Sequence, residues 1–487
     1  MIRYIVPISN CKYYIRHIEF VSSLLGLIRY KTFIIYIILL IVSSQAGFAQ
    51  NYINPQAMAL GDAYSSVARG YFSVGYNPAN LAFPSKYKTY INLAGLNYIV
   101  TNNFVSLKTN AKYGGKDITA NGEKLQKELI SEIPNKGWRY NSGVNIPLPL
   151  LNFSTGNKAF TANFLYITDY YISKPALEIL FGGMKKDTEY NLDLRCDAMT
   201  AIEYAYSMGI PYNNMALGFS LKYIQGLGYY GLDPKRSSGT VSVDTILSGS
   251  GDYFFREAYG GRGFAIDLGI AFQELNGWNM GISVSNFAAL MKWNYNTLFS
   301  DIVGTSMLKF MGGRLKSGNP DIDLDFEGES YNYSFLINDV SGEKFFQGDS
   351  NFSNLFFSAG VTDTTDTSLF KVRLPLVLRL GLSKQVKKDI LLVTDLTASF
   401  GDRLNYWKGW RCSLGMEYSY LPSFPLRLGV SFGGLSGWEI NIGSGINAGF
   451  IHFDWAVGFH RGLWLHTARG INFSMGAYLT RKTKSLK

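Results

Sequence analysis

The stretch that decides the fold is IHFDWAVGFH, residues Ile451–His460. Its large apolar side chains occupy every second position, as Ile451, Phe453, Trp455, Val457 and Phe459. Small or polar side chains lie between them, as His452, Asp454, Ala456, Gly458 and His460. Because successive side chains of an extended chain point to opposite faces, the segment predicts a strand with one apolar and one polar face. A strand of about ten residues with this pattern is typical of a transmembrane β-barrel.

The same alternation recurs along most of the chain. Residues 374–383 carry leucine at every even position, and residues 438–446 alternate tryptophan or isoleucine with small and polar groups. A soluble β-sandwich also has alternating strands. However, 15% aromatic residues, 17% charged residues and 51 glycines in 487 residues suit a lumen wall and interfacial girdles better than a soluble core. The sequence therefore predicts an all-β fold: a transmembrane antiparallel β-barrel of about 14 strands, within a range of roughly 12 to 16, over residues 87–480.

Residues 1–49 have the composition of a signal peptide. Arg29 and Lys31 precede an apolar run at 33–42, and Gly47 and Ala49 supply small residues at the usual cleavage position. We expect export and cleavage before residue 50. An inner-membrane anchor is the alternative, although the run is shorter than the roughly 20 residues that a spanning helix needs. Residues 1–28 also suit a start site placed upstream of the true one.

Charge and cysteine content exclude several classes of function. The formal net charge is +10, but no face rich in lysine and arginine is interleaved with aromatic residues, so we expect no nucleic-acid partner. Only Cys196 and Cys412 follow the predicted leader, which permits one disulfide and excludes a thiolate metal site. We therefore expect neither a metal nor a cofactor.

Residues 50–86 do not alternate and are rich in alanine, glycine and serine. They contain a motif formed by Tyr76, Asn77, Pro78, Ala79, Asn80, Leu81 and Ala82. The segment resembles the mature N-terminus of the long-chain fatty-acid (FadL-like) transporter family of Gram-negative outer membranes. The resemblance implies a barrel of about 14 strands in the outer membrane. It also implies that residues 50–86 fold back as a hatch inside the lumen, with Tyr76, Asn77, Pro78, Ala79 and Leu81 as the hatch motif.

Two departures from the family pattern concern the ligand more than the fold. Residues 69–71 are Arg-Gly-Tyr where acidic residues are usual, and Asn80 replaces the usual glycine. Barrels of the type IX secretion apparatus carry a similar Asn-Pro-Ala segment, so the motif indicates architecture rather than cargo. The alternative interpretation is that Asn77 and Pro78 form only a turn leading into the first strand.

Fourteen strand starts can be placed along the chain. They lie near Tyr87, Trp138, Phe160, Asp197, Asn214, Gly263, Trp278, Arg373, Asp389, Trp410, Leu426, Trp438, Ile451 and Gly470. With a periplasmic N-terminus, the connections after odd strands face outward, and these are the long ones near 112–136, 171–196, 228–261 and 290–372. Residues 351–361 are assigned to the last loop, although they also suit a further strand. The basic tail, residues 481–487, is expected to be disordered.

Charged residues on the lumen face are predicted to pair across hairpins. Residues directly opposite each other have numbers that sum to twice the turn centre. Three pairs satisfy this relation: Arg379 with Asp395, Glu417 with Arg427, and Glu203 with Lys222. We expect these pairs to fix the strand registers and to narrow the lumen.

Other polar groups carry weaker indications. His452, Asp454 and His460 form a polar set on the lumen face, interpreted as hydrated lumen side chains rather than as metal ligands. The acidic row at 321–329 has Phe326 where a calcium-binding EF-hand needs glycine, so a solvated edge is favoured over a calcium site. Residues 429–433 match G-x-S-x-G but lie within an alternating strand, so we expect no enzyme.

The preferred function is passive uptake or lateral transfer of a hydrophobic small molecule across the outer membrane. An apolar solute does not readily cross a polar lumen, so a plugged barrel with an apolar entrance gives it a route. Apolar loop residues are candidates for that entrance: Ile179, Leu180, Phe181, Phe254, Phe255, Leu290, Met291 and Trp293. The alternative is a scaffold or secretion component with envelope protein partners. The expected partners are thus the lipid bilayer together with a hydrophobic ligand or envelope proteins.

Overall fold

The computed structural model describes residues 54–114, 116, 123–181, 185, 187–243, 246–293, 329–341, 361–362, 370–406, 408–434 and 437–482. The signal peptide predicted at residues 1–49 lies outside these ranges. So do almost all of the acidic row at 321–329 and of the 351–361 segment, and residues 483–487 of the basic tail.

Fourteen strands form the wall. They are β1 (Tyr87–Asn102), β2 (Trp138–Pro147), β3 (Lys158–Ile172), β4 (Leu194–Tyr212), β5 (Met215–Leu232), β6 (Ile246–Leu275), β7 (Trp278–Trp293), β8 (Val377–Lys387), β9 (Ile390–Ser399), β10 (Gly409–Tyr418), β11 (Leu426–Gly433), β12 (Gly437–Ala448), β13 (Ile451–His460) and β14 (Gly470–Lys482). Each pairs antiparallel with the next, and β14 pairs back onto β1, which closes the barrel. The prediction of an antiparallel β-barrel of about 14 strands is confirmed.

Alternation along each strand produces the two faces of the wall. On β13, Phe453 and Trp455 are each 37% exposed on the outer face, whereas His452 and Asp454 are each 2% exposed on the lumen face. Large apolar groups on other strands are likewise exposed, including Leu217, Leu268, Ile282, Leu428 and Ile442. A band of this kind around a closed barrel is stable when lipid covers it.

In the part of the chain that the structure describes, helices are few and short. They are α1 (Pro55–Ala59), α2 (Leu107–Tyr113), α3 (Glu123–Glu132) and α4 (Lys174–Leu180), with 3₁₀ turns at Gly70–Ser73 and Pro78–Ala82. Among the described residues, no helix combines the length and the apolar character that crossing a membrane requires.

The barrel has a turn end, where even strands connect to odd ones, and a loop end, where odd strands connect to even ones. The prediction of a long loop at 228–261 is wrong, because most of this region is β-sheet. Strand β5 runs to Leu232, β6 begins at Ile246, and a short strand at Ser238–Val243 pairs with β6. Further strands at Thr188–Asn191 and Glu329–Ser341 extend this projecting sheet. Glycine and serine lower the strand propensity of this region, so its local sequence predicts a loop. Hydrogen bonding to neighbouring strands outweighs that local preference.

Residues 54–86, called the N-terminal segment below, lie against lumen-facing residues of many wall strands. Their backbone approaches lumen-facing glycines so closely that no side chain fits between. A Cβ at Gly218 would lie 2.1 Å from the backbone nitrogen of Ala79, and one at Gly429 would lie 2.0 Å from that of Gly61. Gly218 is directly paired with Gly209 and Gly269 on its two neighbouring strands. Glycine permits this approach because it has no Cβ.

We predict that Gly218→Ala displaces the N-terminal segment, because the new methyl group meets backbone rather than a movable side chain. Overpacking of this kind costs about 1–3 kcal/mol. The measurement is the temperature at which the folded band converts to the unfolded one on SDS gels, together with trypsin cleavage within 54–86. Gly228→Ala, on the same strand with no atom within 4 Å of its Cβ position, is the matched control. Equal behaviour of the two variants would contradict the close packing.

Candidate functional site

Asn77 anchors the N-terminal segment to the wall. Its side-chain oxygen accepts a hydrogen bond from the backbone nitrogen of Ala79 at 3.0 Å, which caps the 3₁₀ turn that Pro78 begins. Its side-chain nitrogen donates to the carbonyl oxygen of Ile270 on β6 at 3.0 Å. Asn77 is fully buried, and Gly269 leaves the space that it occupies. The Asn77 side chain thus caps the turn within the segment and also forms a hydrogen bond with the wall.

The other motif residues pack around this anchor. The Tyr76 hydroxyl donates to Asp62 at 2.7 Å, and burial raises the pKa of Tyr76 well above its usual range, so the phenol stays neutral. Ala79 is fully buried, and Leu81 is 4% exposed. The five predicted motif residues therefore lie together in one buried stretch.

The pair predicted between Glu417 and Arg427 is present. The two residues are directly opposite in the β10–β11 ladder, and Arg427 Nε lies 2.6 Å from a Glu417 oxygen. Arg427 also contacts Asp454 at 2.6 Å. The other Asp454 oxygen accepts a hydrogen bond from Gln56 of α1 at 2.9 Å. The pair thus belongs to a network that includes the N-terminal segment.

The register predicted for Arg379 and Asp395 is wrong by two residues. Arg379 is opposite Thr397, and Asp395 is opposite Gly381. The physical reason is a β-bulge between Gln385 and Lys387, which moves the turn to the next two residues. Both side chains still face the lumen, where each is 1% exposed.

Arg379 and Asp395 bind the N-terminal segment instead of each other. Arg379 lies 3.3 Å from Asp62 and 5.0 Å from the ring centre of Tyr76. Asp395 accepts backbone hydrogen bonds from Tyr64 at 3.1 Å and Ser65 at 2.9 Å. Each wall charge therefore has its partner on the segment.

The register predicted for Glu203 and Lys222 is also wrong by two residues. Lys222 is opposite Ala205, because Asn213 adopts a left-handed conformation in a two-residue turn between Tyr212 and Met215. Lys222 lies 2.8 Å from Asp267 on β6 and 3.8 Å from Glu203. These side chains form a buried cluster of one base between two acids.

His452, Asp454 and His460 share the lumen face but have separate partners. His452 lies between Asn447 at 2.7 Å and Thr480 at 2.8 Å. His460 contacts Asn472 at 2.6 Å, and Asp454 belongs to the network with Arg427. The two histidines are eight residues apart on one strand, or roughly 26 Å. In the described residues, no group of three or more His, Cys, Asp or Glu side chains is placed to hold a metal ion.

Sequence reasoning missed the inner loop, residues 400–406, which follows β9 and folds into the loop end of the lumen. Arg403 Nε donates to Asp197 on β4 at 2.8 Å, and Asp402 pairs with Arg139 and Arg195. Leu404 and Asn405 have left-handed backbone conformations, which ordinary side chains rarely adopt. Such a loop has no sequence periodicity. The only sequence signal for its contacts is its run of charged and amide residues.

Sequence reasoning also missed the ion pair of Arg411 and Glu439. Arg411 on β10 donates to Glu439 on β12 and to Ser431 on the intervening β11 at 2.8 Å. Ser431 is the serine of the G-x-S-x-G match, and it lies within a strand as expected. Because the partners are two strands apart, pairing rules for a single hairpin do not find them.

Below the inner loop is an apolar cavity of about 70 Å³, called the upper cavity. Its lining includes Ile99, Leu165, Ile167, Met199, Ile224, Leu374 and Tyr406. A buried apolar cluster surrounds it and contains Met291 and Trp293, two of the predicted entrance residues. Ile179 belongs to a separate cluster with Tyr190 and Tyr253, and Leu180 is 69% exposed.

A second cavity of about 70 Å³, the lower cavity, lies between the N-terminal segment and the wall. Asparagines from the wall line it: Asn92, Asn97, Asn145, Asn152 and Asn163. Aromatic rings of the segment and of β14 line its other side: Tyr71, Phe72, Tyr76 and Tyr478. Asn97 and Asn145 line both cavities, so the two adjoin.

The wall beside the lower cavity is interrupted. Strand β1 pairs with β2 from Asn97 to Asn102, and with a short strand at Phe153–Thr155 only through residues 89–91. Within the described residues, no ladder pair joins residues 93–96 of β1 to β2. Pro147 explains the break, because proline has no backbone N–H to donate. A Cβ at Gly95 would lie 3.1 Å from Cγ of Pro147, so these two residues border the gap.

A closed 14-strand barrel with an apolar exterior and a filled, charge-paired lumen is an integral β-barrel protein of the outer membrane. No family model matches the sequence, and no curated protein sequence matches it. Solved structures do match the fold. A Pseudomonas aeruginosa FadL homologue is 12% identical with a TM-score of 0.43, covering 89% of this chain and 100% of that one.

Two transporters give similar values. The Pseudomonas putida toluene transporter TodX and the Ralstonia pickettii toluene transporter TbuX are each 11% identical with TM-scores of 0.45. Each match covers 88% of this chain, with 99% of TodX and 98% of TbuX. A FadL homologue is thus among the structural neighbours of this chain, and FadL-like proteins are the family that residues 76–82 resemble.

We predict that Arg427→Met destabilises the barrel, because it strands Asp454 and Glu417 without their cation. Breaking a buried ion pair by removing one partner costs about 3–5 kcal/mol. The measurement is the midpoint of urea unfolding in lipid vesicles. Lys112→Met, at a pair with Glu128 and Glu132 outside the wall, is the control and should leave the midpoint unchanged. Similar midpoints for both variants would show that the Arg427 network is not a structural requirement.

Proposed function

We propose that this protein carries hydrophobic small molecules passively across the outer membrane and transfers them laterally through its wall. The observation that carries the proposal is the interruption between β1 and β2 beside the lower cavity. A solute that enters under the inner loop meets first the upper cavity and then the lower one. It leaves at residues 93–96 toward lipid, which is the favourable environment for an apolar molecule.

In this proposal the N-terminal segment is the hatch that blocks the axial route. Its support is the contact of Ala79 with the wall at Gly218, of Gly61 at Gly429, and of Asp62 with Arg379. A lumen filled in this way excludes ions and hydrophilic solutes while leaving the lateral route available. TodX and TbuX are named as toluene transporters, and transport of a hydrophobic small molecule is consistent with this role.

A disulfide across the gap tests the lateral route. Gly95→Cys with Pro147→Cys places two Cβ atoms near the separation of about 3.5–4.5 Å that a disulfide needs. Cys196 and Cys412, both free thiols, are replaced by alanine in every version. We predict that oxidation reduces uptake of a fluorescent apolar dye into proteoliposomes to the level of empty vesicles, and that dithiothreitol restores it. Each single cysteine variant serves as control, and unchanged uptake by the locked protein would refute the route.

Deleting residues 54–84 tests the hatch. We predict that the shortened barrel conducts ions in planar bilayers, whereas the intact protein is nearly closed, because the deletion removes the atoms that contact the lumen glycines. The heat-induced mobility shift on gels checks that the deleted form is folded. Equal single-channel conductance of the two forms would eliminate the hatch role.

The projecting sheet favours a second candidate, a scaffold that docks envelope proteins. Its strands Ser238–Val243 and Glu329–Ser341 extend β6 beyond the pairs that close the barrel. This candidate predicts that envelope proteins copurify with the intact protein and are lost when residues 236–243 are replaced by a short glycine-serine linker. Dye uptake unaffected by that replacement, with no copurifying protein, would favour transport alone.

A further inference from the structure

The lower cavity has a chemistry that the transport of plain hydrocarbons does not require. Six asparagine side chains line it, five from the wall and Asn54 from the N-terminal segment, and each carries both a hydrogen-bond donor and an acceptor. Thr161, only 3% exposed, also lines it, and its hydroxyl has no hydrogen-bond partner among the described residues. The side-chain oxygen of Asn145 is likewise unpaired within the described part of the chain. Two buried polar atoms are therefore available to a ligand at one place.

The charges around the lower cavity disfavour an anionic ligand. Glu203 and Asp454 belong to its lining, whereas lysine, arginine and histidine are absent from the described residues that line it. Their cations, Lys222 and Arg427, lie outside the lining. A carboxylate placed here would face two acidic side chains without a compensating cation, and burying such a charge is costly.

The upper cavity supplies the complementary half of the site. It is lined mainly by aliphatic side chains and adjoins the lower cavity at Asn97 and Asn145. Its volume of about 70 Å³ is roughly half of the ~150 Å³ apolar cavity that is known to bind benzene, so it accepts a short chain. An apolar pocket next to an amide-lined one matches a molecule with an apolar tail and a polar head.

We propose that the two cavities form one binding site for short amphiphiles whose headgroup is neutral and forms hydrogen bonds, such as a carboxamide. The inference rests on the proposed function for the route, and it adds the headgroup chemistry. The tail lies under the inner loop in the upper cavity, and the headgroup bonds with Thr161 and Asn145. Because Gly95 and Pro147 line the lower cavity, the headgroup lies next to the proposed exit.

The test compares hexanamide with hexanoate, which have nearly the same shape and differ in charge. Binding to the full-length mature protein in nanodiscs at pH 7.5 is measured by ligand-detected NMR. We expect hexanamide to bind at least about ten-fold more tightly than hexanoate, a difference of about 1.4 kcal/mol. Equal affinities, or tighter binding of hexanoate, would overturn the inference in the unaltered protein.

A pair of isosteric variants then locates the site. Thr161→Val should weaken hexanamide binding several-fold, because it removes a hydroxyl that lines the lower cavity. Thr101→Val is the control, since Thr101 is equally buried and its hydroxyl is also unpaired in the described residues, yet it lies outside the cavity. Equal loss in both variants would overturn the assignment of the site.

Dye uptake in the same preparation separates the two proposals. Uptake without preference for hexanamide would overturn the headgroup inference and leave the proposed function standing. Preference for hexanamide without uptake would overturn the transport role and leave the binding site standing.

Discussion

The close contact between the N-terminal segment and lumen-facing glycines is the constraint on which the rest of the structure depends. A barrel of this size leaves a lumen that its own side chains do not fill, and residues 54–86 lie against its lumen-facing glycines. Backbone can approach backbone only where the Cβ is missing, as between Gly218 and Ala79 or between Gly429 and Gly61. Glycines therefore lie directly opposite each other on neighbouring strands, and the paired Gly281 and Gly381 are a further example.

Charge pairing follows from burial of the wall charges. Arg379 and Asp395 are each 1% exposed, and a buried charge needs a partner at close range. The segment provides Asp62 and the backbone nitrogens of Tyr64 and Ser65. Buried ion pairs add little net stability but are costly to break. They consequently fix where the segment lies, while apolar contact with lipid stabilises the outer face of the wall.

The wall strands were predictable from sequence, and the errors in hairpin register have local causes. Alternation located all fourteen wall strands, because lipid outside and polar groups inside impose a period of two. Register was predicted correctly for Glu417 and Arg427, whose hairpin has no irregularity, but not where Asn213 or the bulge at Gln385 shifts the turn. The partners of Arg379 and Asp395 lie in the N-terminal segment, more than 300 residues away, where no pairing rule reaches. The inner loop has no period at all, and only its contacts define it.

In the proposed function, the N-terminal segment blocks the axial route and the gap at Pro147 gives a lateral one. The most direct test is a density map of the protein purified with native lipid. The lateral route predicts elongated lipid-like density between residues 93–96 of β1 and Pro147, with the N-terminal segment in place against Gly218 and Gly429. A continuous β1–β2 ladder, or ligand density along the barrel axis with the segment displaced, would contradict it.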